Sequence, residues 1–256
     1  MTDGRQLNVL VFGATGGTGR RLVEQALQQG HVVTAFARDP KKIRLKHDNL
    51  RVFQGDVLLP DSVEAAISGQ EAVVSALGIR IPVTILLLIV IASQIVVRTV
   101  ALPWPAALCV ELGVPILAIL LLSRRKTTLS EGTRNIVRAM ERAGVKRFVC
   151  ESSLGVGDSK GKLGVFANLI AIPLFLRNIF VDKEEQERII AGSNLDWVIV
   201  RPSALTNGPQ RNVFRVGSDV GHWIFPSKIS RADVAAFMLD QLTDGKYLRK
   251  TPGLSY

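Results

Sequence analysis

The chain has 256 residues, enough for one well-buried core, and a formal charge of +10 at pH 7. This charge suits an acidic cofactor or an anionic membrane surface, but no basic cluster is interleaved with aromatic residues, which argues against a nucleic-acid partner. The two cysteines, Cys109 and Cys150, lack metal-ligand spacing, so we expect no metal site and a reducing, cytoplasmic location. Residues 1–7 are polar and predict no cleavable signal peptide.

The first predicted elements are a strand, a glycine loop and a helix. The apolar residues 9–12 precede the loop at residues 13–19, and a helical pattern continues from residue 20 to residue 29. In dinucleotide-binding proteins such glycines allow a tight turn, a close approach of backbone N–H groups to a pyrophosphate, and packing of the helix on its strand. The helix N-terminus adds about half a positive charge. The predicted dinucleotide-binding residues are Gly13, Thr15, Gly16, Gly17, Thr18 and Gly19.

The end of the second strand bears on the choice between NADPH and NADH. Residues 31–36 predict this strand, and Ala37-Arg38-Asp39 follows. NAD-specific sites place a carboxylate about 20 residues beyond the glycine loop, where it binds the ribose 2′-OH. Arg38 stands in this region instead, and a guanidinium can bind a 2′-phosphate through two hydrogen bonds. The pattern favours NADP(H). The alternative, in which Asp39 binds the ribose and Arg38 is a solvated charge, stays open.

Strands and helices alternate along most of the remaining chain. The predicted strands are residues 50–54, 72–76, 147–150 and 195–200, and the predicted helices are residues 60–68, 129–143 and 231–242. This alternation predicts one NAD(P)-binding domain over residues 1–256 with a doubly wound parallel sheet, the Rossmann fold. Ligands of such sheets bind beyond the carboxyl ends of the strands. One rim would therefore gather the glycine loop, Arg38, Asp56, Ala76-Leu77-Gly78 and Ser152-Ser153.

The chain resembles the atypical short-chain dehydrogenase/reductases of the NAD(P)H-binding, NmrA-like group, particularly the biliverdin-IXβ/flavin reductase type. The resemblance is carried by residues 12–19, 37–39, 55–57, 77–78, 130–137 and 196–202. It implies that Asp56 and Val57 flank the adenine, and that Leu77 and Gly78 run past the ribose and pyrophosphate. It also implies that Ser153 faces the nicotinamide and that Lys183 lies near the ribose or nicotinamide.

Two departures from this family limit any prediction about catalysis. The Tyr-x-x-x-Lys pair, in which the lysine lowers the pKa of the tyrosine, is absent because Ile179 precedes Lys183 by four residues. Pro202 is followed by Ser203, where the similar reductases carry a histidine. Ser153 is then the leading substrate contact, or a strand-end serine that bonds only a backbone group. The acidic side chains between residues 182 and 187 are expected to form a solvated first helix turn.

These residues favour an NADPH-dependent reductase that transfers hydride to a small planar acceptor such as a flavin or a quinone. Such acceptors can take a proton from solvent, so the protein needs to supply mainly orientation. The missing tyrosine and histidine also suit a second function, a non-catalytic NADP(H) sensor of the NmrA-like type.

A hydrophobic, predicted helical insertion at about residues 81–125 follows the fourth strand. Its two apolar runs are each roughly 26 Å long as a helix, close to a ~30 Å hydrocarbon core. Basic residues flank it at Arg80 and at residues 124–126, and Trp104 lies at the centre. Three interpretations stay open for residues 81–122: an anchor to the cytoplasmic face of a membrane, a lid or homo-oligomer contact, and a non-native translation. The resemblance implies that residues 163–176 form the substrate-side helix of the family, and membrane contact is the alternative.

Overall fold

The computed structural model describes residues 5–78, 110, 127–162, 176–221 and 227–256. Its strands are β1 (Asn8–Phe12), β2 (Val32–Ala37), β3 (Leu50–Gln54), β4 (Ala72–Ser75), β5 (Arg147–Glu151), β6 (Asp196–Pro202), β7 (Ala204–Thr206), β8 (Arg215–Gly217), β9 (Lys228–Ser230) and β10 (Gly253–Ser255). Its α-helices are α1 (Gly17–Gln28), α2 (Pro60–Ile67), α3 (Thr128–Ala143), α4 (Arg177–Ala191) and α5 (Arg231–Asp240).

Eight of these strands form one sheet in the order β3-β2-β1-β4-β5-β6-β10-β8. All neighbours pair in parallel except β10 and β8, which are antiparallel. The strand order reverses at β1, which lies between β2 and β4. In open α/β sheets such a reversal creates a crevice at the carboxyl ends of the strands. The glycine loop follows β1 and therefore lies at this crevice.

Helices cover both faces of the sheet because alternate side chains of the buried strands point to opposite faces. One core joins Val9 and Val11 of β1 to apolar side chains of α1 and α5. The other joins Leu10 and Phe12 to apolar side chains of α2 and α3. The predicted doubly wound α/β fold is confirmed.

The structure corrects the sequence prediction at two places. Helix α1 begins at Gly17 and not at residue 20, so the last glycines of the loop belong to its first turn. The short strands β7 to β10 were not predicted, because three-residue strands carry too little periodicity to be recognised. The predicted insertion at residues 81–125 and the substrate-side helix at 163–176 lie outside the described residues, apart from Val110 and Leu176. None of the helices within the described ranges has the length and apolarity to cross a bilayer.

Candidate functional site

The glycine loop forms a tight turn between β1 and α1. Gly13 has a φ of +77°, which favours glycine, and its carbonyl accepts a hydrogen bond from the Gly16 N–H at 2.8 Å. A Cβ on Gly13 would lie 2.3 Å from the Ala76 carbonyl oxygen, and a Cβ on Gly19 would lie 2.1 Å from the Gly13 carbonyl oxygen. These contacts explain two glycines by local geometry: Gly13 makes the turn beside β4, and Gly19 brings α1 close to β1.

The N-terminus of α1 is prepared for an anion. Gly16 at the N-cap gives no side-chain hydrogen bond, and the first turn contains no acidic residue. The first N–H groups of a helix lack partners inside the helix and carry a partial positive charge. A pyrophosphate supplies acceptors for these groups. The turn and the uncapped helix start thus fit a dinucleotide cofactor.

A buried glutamate lies directly behind this helix start. The Thr18 hydroxyl donates to Oε1 of Glu151 at 2.9 Å, which joins the first turn of α1 to the carboxyl end of β5. Burial raises the pKa of the Glu151 carboxyl, while Lys183, the Thr18 hydrogen bond and Arg231 each act to lower it. Glu151, Thr18, Lys183 and Arg231 therefore share one electrostatic environment. The sequence analysis missed Glu151 and Arg231, although the place of Glu151 at the end of a predicted strand was a usable signal.

The next strand-end residues, Ser152 and Ser153, have different surroundings. Ser152 is buried, and its hydroxyl donates to Oε1 of Glu187 at 2.5 Å. Ser153 is half-buried, and its hydroxyl donates to the Leu154 carbonyl oxygen at 3.1 Å. This local bond is the backbone contact expected of a strand-end serine. A hydroxyl can rotate toward a new acceptor, so the bond is compatible with a substrate contact as well.

Helix α4 carries Lys183 and is held to β6 by a buried ion pair. Arg201 donates from Nε to Oε1 of Glu187 at 3.0 Å and from Nη2 to Oε2 at 2.7 Å. Its third nitrogen, Nη1, binds the exposed carboxylate of Asp158. These bonds keep the pKa of the Arg201 guanidinium raised even though burial opposes the charge.

The expectation of a solvated first helix turn at residues 182–187 is wrong in its place, because α4 begins at Arg177. It is also wrong for the burial of two residues. Glu187 is buried in the ion pair with Arg201, and Asp182 is also buried. The Asp182 carboxylate accepts from the N–H groups of Leu129 at 2.9 Å and Ser130 at 3.1 Å, so it caps α3 from outside that helix. Sequence periodicity could not reveal either partner because each lies on a different element. Glu184 and Glu185 do face solvent.

The opposite end of the crevice, beyond β2, is basic. Arg38 is exposed directly after β2. A nearby groove of about 410 Å³ is lined by Ala14, Arg20, Val23, Glu24, Lys41, Lys42, Ile43, Arg44 and Leu45. Asp39, the alternative ribose ligand, accepts from the Lys41 N–H at 3.2 Å and pairs with the Lys42 ammonium at 3.3 Å. Its carboxylate already has local partners.

The remaining predicted contacts follow β3 and β4. The Asp56 carboxylate accepts from the Leu58 N–H at 3.0 Å. Val57 is buried against α3, where a Cβ on Gly132 would lie 2.8 Å from Val57 Cγ1, and its carbonyl accepts from the Asn135 side chain at 3.0 Å. Ala76 is buried, Leu77 is half-buried and Gly78 is exposed along the end of β4. The structure thus brings the predicted residues to one edge of the sheet.

The fold and the glycine loop define a dinucleotide-binding α/β protein. A family model described as NAD(P)H-binding matches residues 13–102 and 110–245. The chain therefore belongs to the NAD(P)H-binding family, and the resemblance to atypical short-chain dehydrogenase/reductases is confirmed. The break in the match, at residues 103–109, falls within the predicted insertion. In the part of the chain that the structure describes, no group of three or more metal-ligating side chains lies close enough to hold an ion.

Two curated relatives cover most of the chain. An uncharacterised chloroplast protein of Arabidopsis thaliana is 30% identical over 245 residues, which are 91% of this chain and 71% of the relative. The photosystem II assembly factor Ycf39 of Synechocystis is 26% identical over 204 residues, which are 79% of this chain and 46% of that protein. Because the first relative is chloroplastic, the cytoplasmic location expected for this chain remains a prediction.

Solved structures share the fold over almost their whole length. ChuY of Escherichia coli O157:H7, described as an anaerobilin reductase, has a TM-score of 0.68 at 22% identity and covers 97% of this chain and 96% of its own. A wide-type short-chain dehydrogenase/reductase of Veillonella parvula, solved with NADP, has a TM-score of 0.66 at 16% identity. The match covers 98% of this chain and 95% of the Veillonella chain. At these identities the likeness concerns the fold.

Proposed function

We propose that the protein is an NADPH-dependent reductase that transfers hydride to a planar acceptor such as a flavin, a quinone or a linear tetrapyrrole. The observation that carries the proposal is the hydrogen bond from Thr18 in the glycine loop to Glu151 at the end of β5. Lys183 acts electrostatically on the same carboxylate, and Ser153 lies two residues beyond it. The cofactor supplies the hydride. The protein orients the acceptor for the transfer and keeps it out of unreactive orientations. Two proteins of similar fold, the anaerobilin reductase ChuY and the Veillonella protein solved with NADP, support this substrate class and cofactor.

NADP(H) is favoured over NAD(H) by charge at the β2 end of the crevice. Arg38 is exposed there, and Arg20, Lys41 and Arg44 line the neighbouring groove. The two carboxylates nearby are paired, Asp39 with Lys42 at 3.3 Å and Glu24 with Arg21 at 3.0 Å. A 2′-phosphate would add two negative charges to this basic surface, whereas NAD(H) would leave it without an anion.

The reductase proposal is tested by NADPH oxidation against a panel of FMN, a short-chain quinone and biliverdin. We expect turnover of at least one acceptor above the uncatalysed background. Ser153→Ala and Lys183→Met should lower turnover by about tenfold or more. The matched controls are Ser193→Ala, which removes a hydroxyl bonded to the Ile190 carbonyl, and Lys160→Met, which removes an exposed lysine paired with Glu184. Equal losses in variants and controls would contradict the assigned roles.

A second candidate function is a non-catalytic NADP(H) sensor whose occupancy regulates a partner protein. It is favoured by Ile179 on α4, which stands where the acid/base pair of short-chain dehydrogenases carries its tyrosine. The name of the Synechocystis relative, an assembly factor, points the same way. Tight NADPH binding without turnover of any panel member would support this candidate and would overturn the reductase.

Membrane attachment through residues 81–122, or a homo-oligomer contact through them, stays a separate proposal. It rests on the apolar composition of this segment and on its basic flanks. We expect the full chain to sediment with membranes after carbonate washing, and a variant lacking residues 81–125 to stay in the supernatant while still binding NADPH. A monodisperse monomer that never sediments would contradict both forms of the proposal.

A further inference from the structure

Arg231, the first residue of α5, reaches across to the first residue of α1. A Cβ on Gly17 would lie 2.6 Å from both Cδ and Nε of Arg231. The space that a side chain at position 17 would fill is therefore occupied by the arginine. The arginine would have to move before position 17 could carry a side chain.

The position of Arg231 is held from two sides. Its Nη1 donates to Oδ1 of Asn207 at 2.8 Å, just beyond β7. Its backbone lies next to Ser230, whose hydroxyl accepts from the Asp233 N–H at 3.0 Å and caps α5. Asp233 in turn accepts from the Tyr256 hydroxyl at 2.6 Å. The guanidinium is thus presented by a fixed helix start and not by a free loop.

The electrostatic position of Arg231 is unfavourable unless an anion is close. The side chain begins at the N-terminus of α5 and lies over the N-terminus of α1, and both helix ends carry partial positive charge. Cations are normally disfavoured at such ends. Glu151 offsets part of this charge, since Arg231 lowers the pKa of that carboxyl. Glu151 itself is buried and accepts the Thr18 hydroxyl at 2.9 Å.

We propose that Arg231 binds the pyrophosphate of the cofactor together with the N-terminal N–H groups of α1. This proposal deepens the proposed function and rests on NADP(H) binding at the glycine loop. A guanidinium can donate two parallel hydrogen bonds to a phosphate. Its full positive charge also neutralises the negative charge of the pyrophosphate, which the partial charge of the helix end neutralises only in part. Asn207 orients the guanidinium toward the phosphate. Arg231 is accordingly a cofactor-binding residue that acts on the part shared by NADPH and NADH.

The test compares the binding of NADPH and NADH, measured by the fluorescence of the bound nicotinamide, in the wild type and in four variants. Arg231→Met should weaken both nucleotides by the same factor, about 10- to 100-fold, because both contain the pyrophosphate. Arg38→Met should weaken NADPH alone, because NADH lacks the 2′-phosphate. Arg231→Lys, which keeps the charge but loses the paired hydrogen bonds, should fall between the wild type and Arg231→Met. Arg5→Met, which removes an exposed arginine paired with Glu71, is the control that should change neither affinity.

Five outcomes would overturn the assignment. Affinities of Arg231→Met within twofold of the wild type would show that the arginine only covers Gly17, and tighter binding would show that it competes with the cofactor. A loss restricted to NADPH would place it at the 2′-phosphate. If Arg231→Met does not fold, the nucleotide affinity of Arg231→Lys tests the proposal in its place. A folded Arg231→Lys variant that binds the nucleotides as tightly as the wild type would refute the paired hydrogen bonds. A wild type that binds neither nucleotide would instead refute the proposed function, and this proposal with it.

Discussion

One buried ion pair joins helix α4 to β6, and Glu187→Ala is the sharpest perturbation of this pair. The side chains of Arg201 and Glu187 are only 6% and 9% exposed. The substitution leaves the Arg201 guanidinium in the interior with Asp158 as its single remaining carboxylate, and it also removes the acceptor of the Ser152 hydroxyl. Because α4 carries Lys183, we expect the loss to reach the candidate site.

The magnitude follows from the burial of both partners. Removing one member of a buried ion pair costs about 3–5 kcal/mol, because the other charge stays desolvated. For a chain of this size that corresponds to a fall in melting temperature of about 6–20 °C. Urea unfolding followed by circular dichroism measures the free energy, and NADPH affinity of the folded variant measures the effect on the site.

A matched control is available on the same guanidinium. Asp158 also binds Arg201, but its side chain is 81% exposed. Asp158→Asn should therefore cost no more than about 1 kcal/mol. The double variant Glu187→Leu with Arg201→Met should regain most of the lost stability, because it removes both charges. Equal costs for Glu187→Ala and Asp158→Asn, or no recovery in the double variant, would refute this account of the pair.

Three further predictions concern single residues near the site. Burial raises the pKa of Glu151 in the folded state above its ordinary value of 4.5, so the wild type should lose stability relative to Glu151→Gln as the pH rises above about 4.5. The difference should grow by at most about 1.36 kcal/mol per pH unit in urea titrations, and parallel curves would contradict it. Gly19→Ala should abolish NADPH binding or folding, since its Cβ would lie 2.1 Å from the Gly13 carbonyl oxygen. The control is Gly245→Ala, whose Cβ would lie 3.7 Å from its nearest neighbour, and it should match the wild type in both assays. Burial raises the pKa of the Cys150 thiol to about 12. In a Cys109→Ser background, iodoacetamide at pH 8 should therefore label the protein only after unfolding. Rapid labelling of the folded protein would contradict a buried thiol.

The sequence determined the class of fold and the predicted place of the cofactor, because both follow from local patterns. An apolar strand, a glycine loop and a helix are contiguous along the chain, and the alternation of strands and helices predicts a parallel sheet. Parallel strands align their carboxyl ends, so the residues after each predicted strand had to meet at one edge. The place of Arg38, the departure at Ile179 and the position of Ser153 were readable for the same reason.

Only the tertiary structure decided which side chains act on one another across elements. Glu187 and Asp182 have the spacing of a solvated helix turn, yet they become buried because β6 and α3 present partners for their charges. Arg231 and Gly17 lie more than two hundred residues apart, and no local pattern links an arginine at one helix start to a glycine at another. Such pairings are set by how helices pack on the two faces of the sheet. The sequence therefore gives a glycine loop that binds a dinucleotide, and the packing of α5 and α1 supplies the arginine proposed to hold its pyrophosphate.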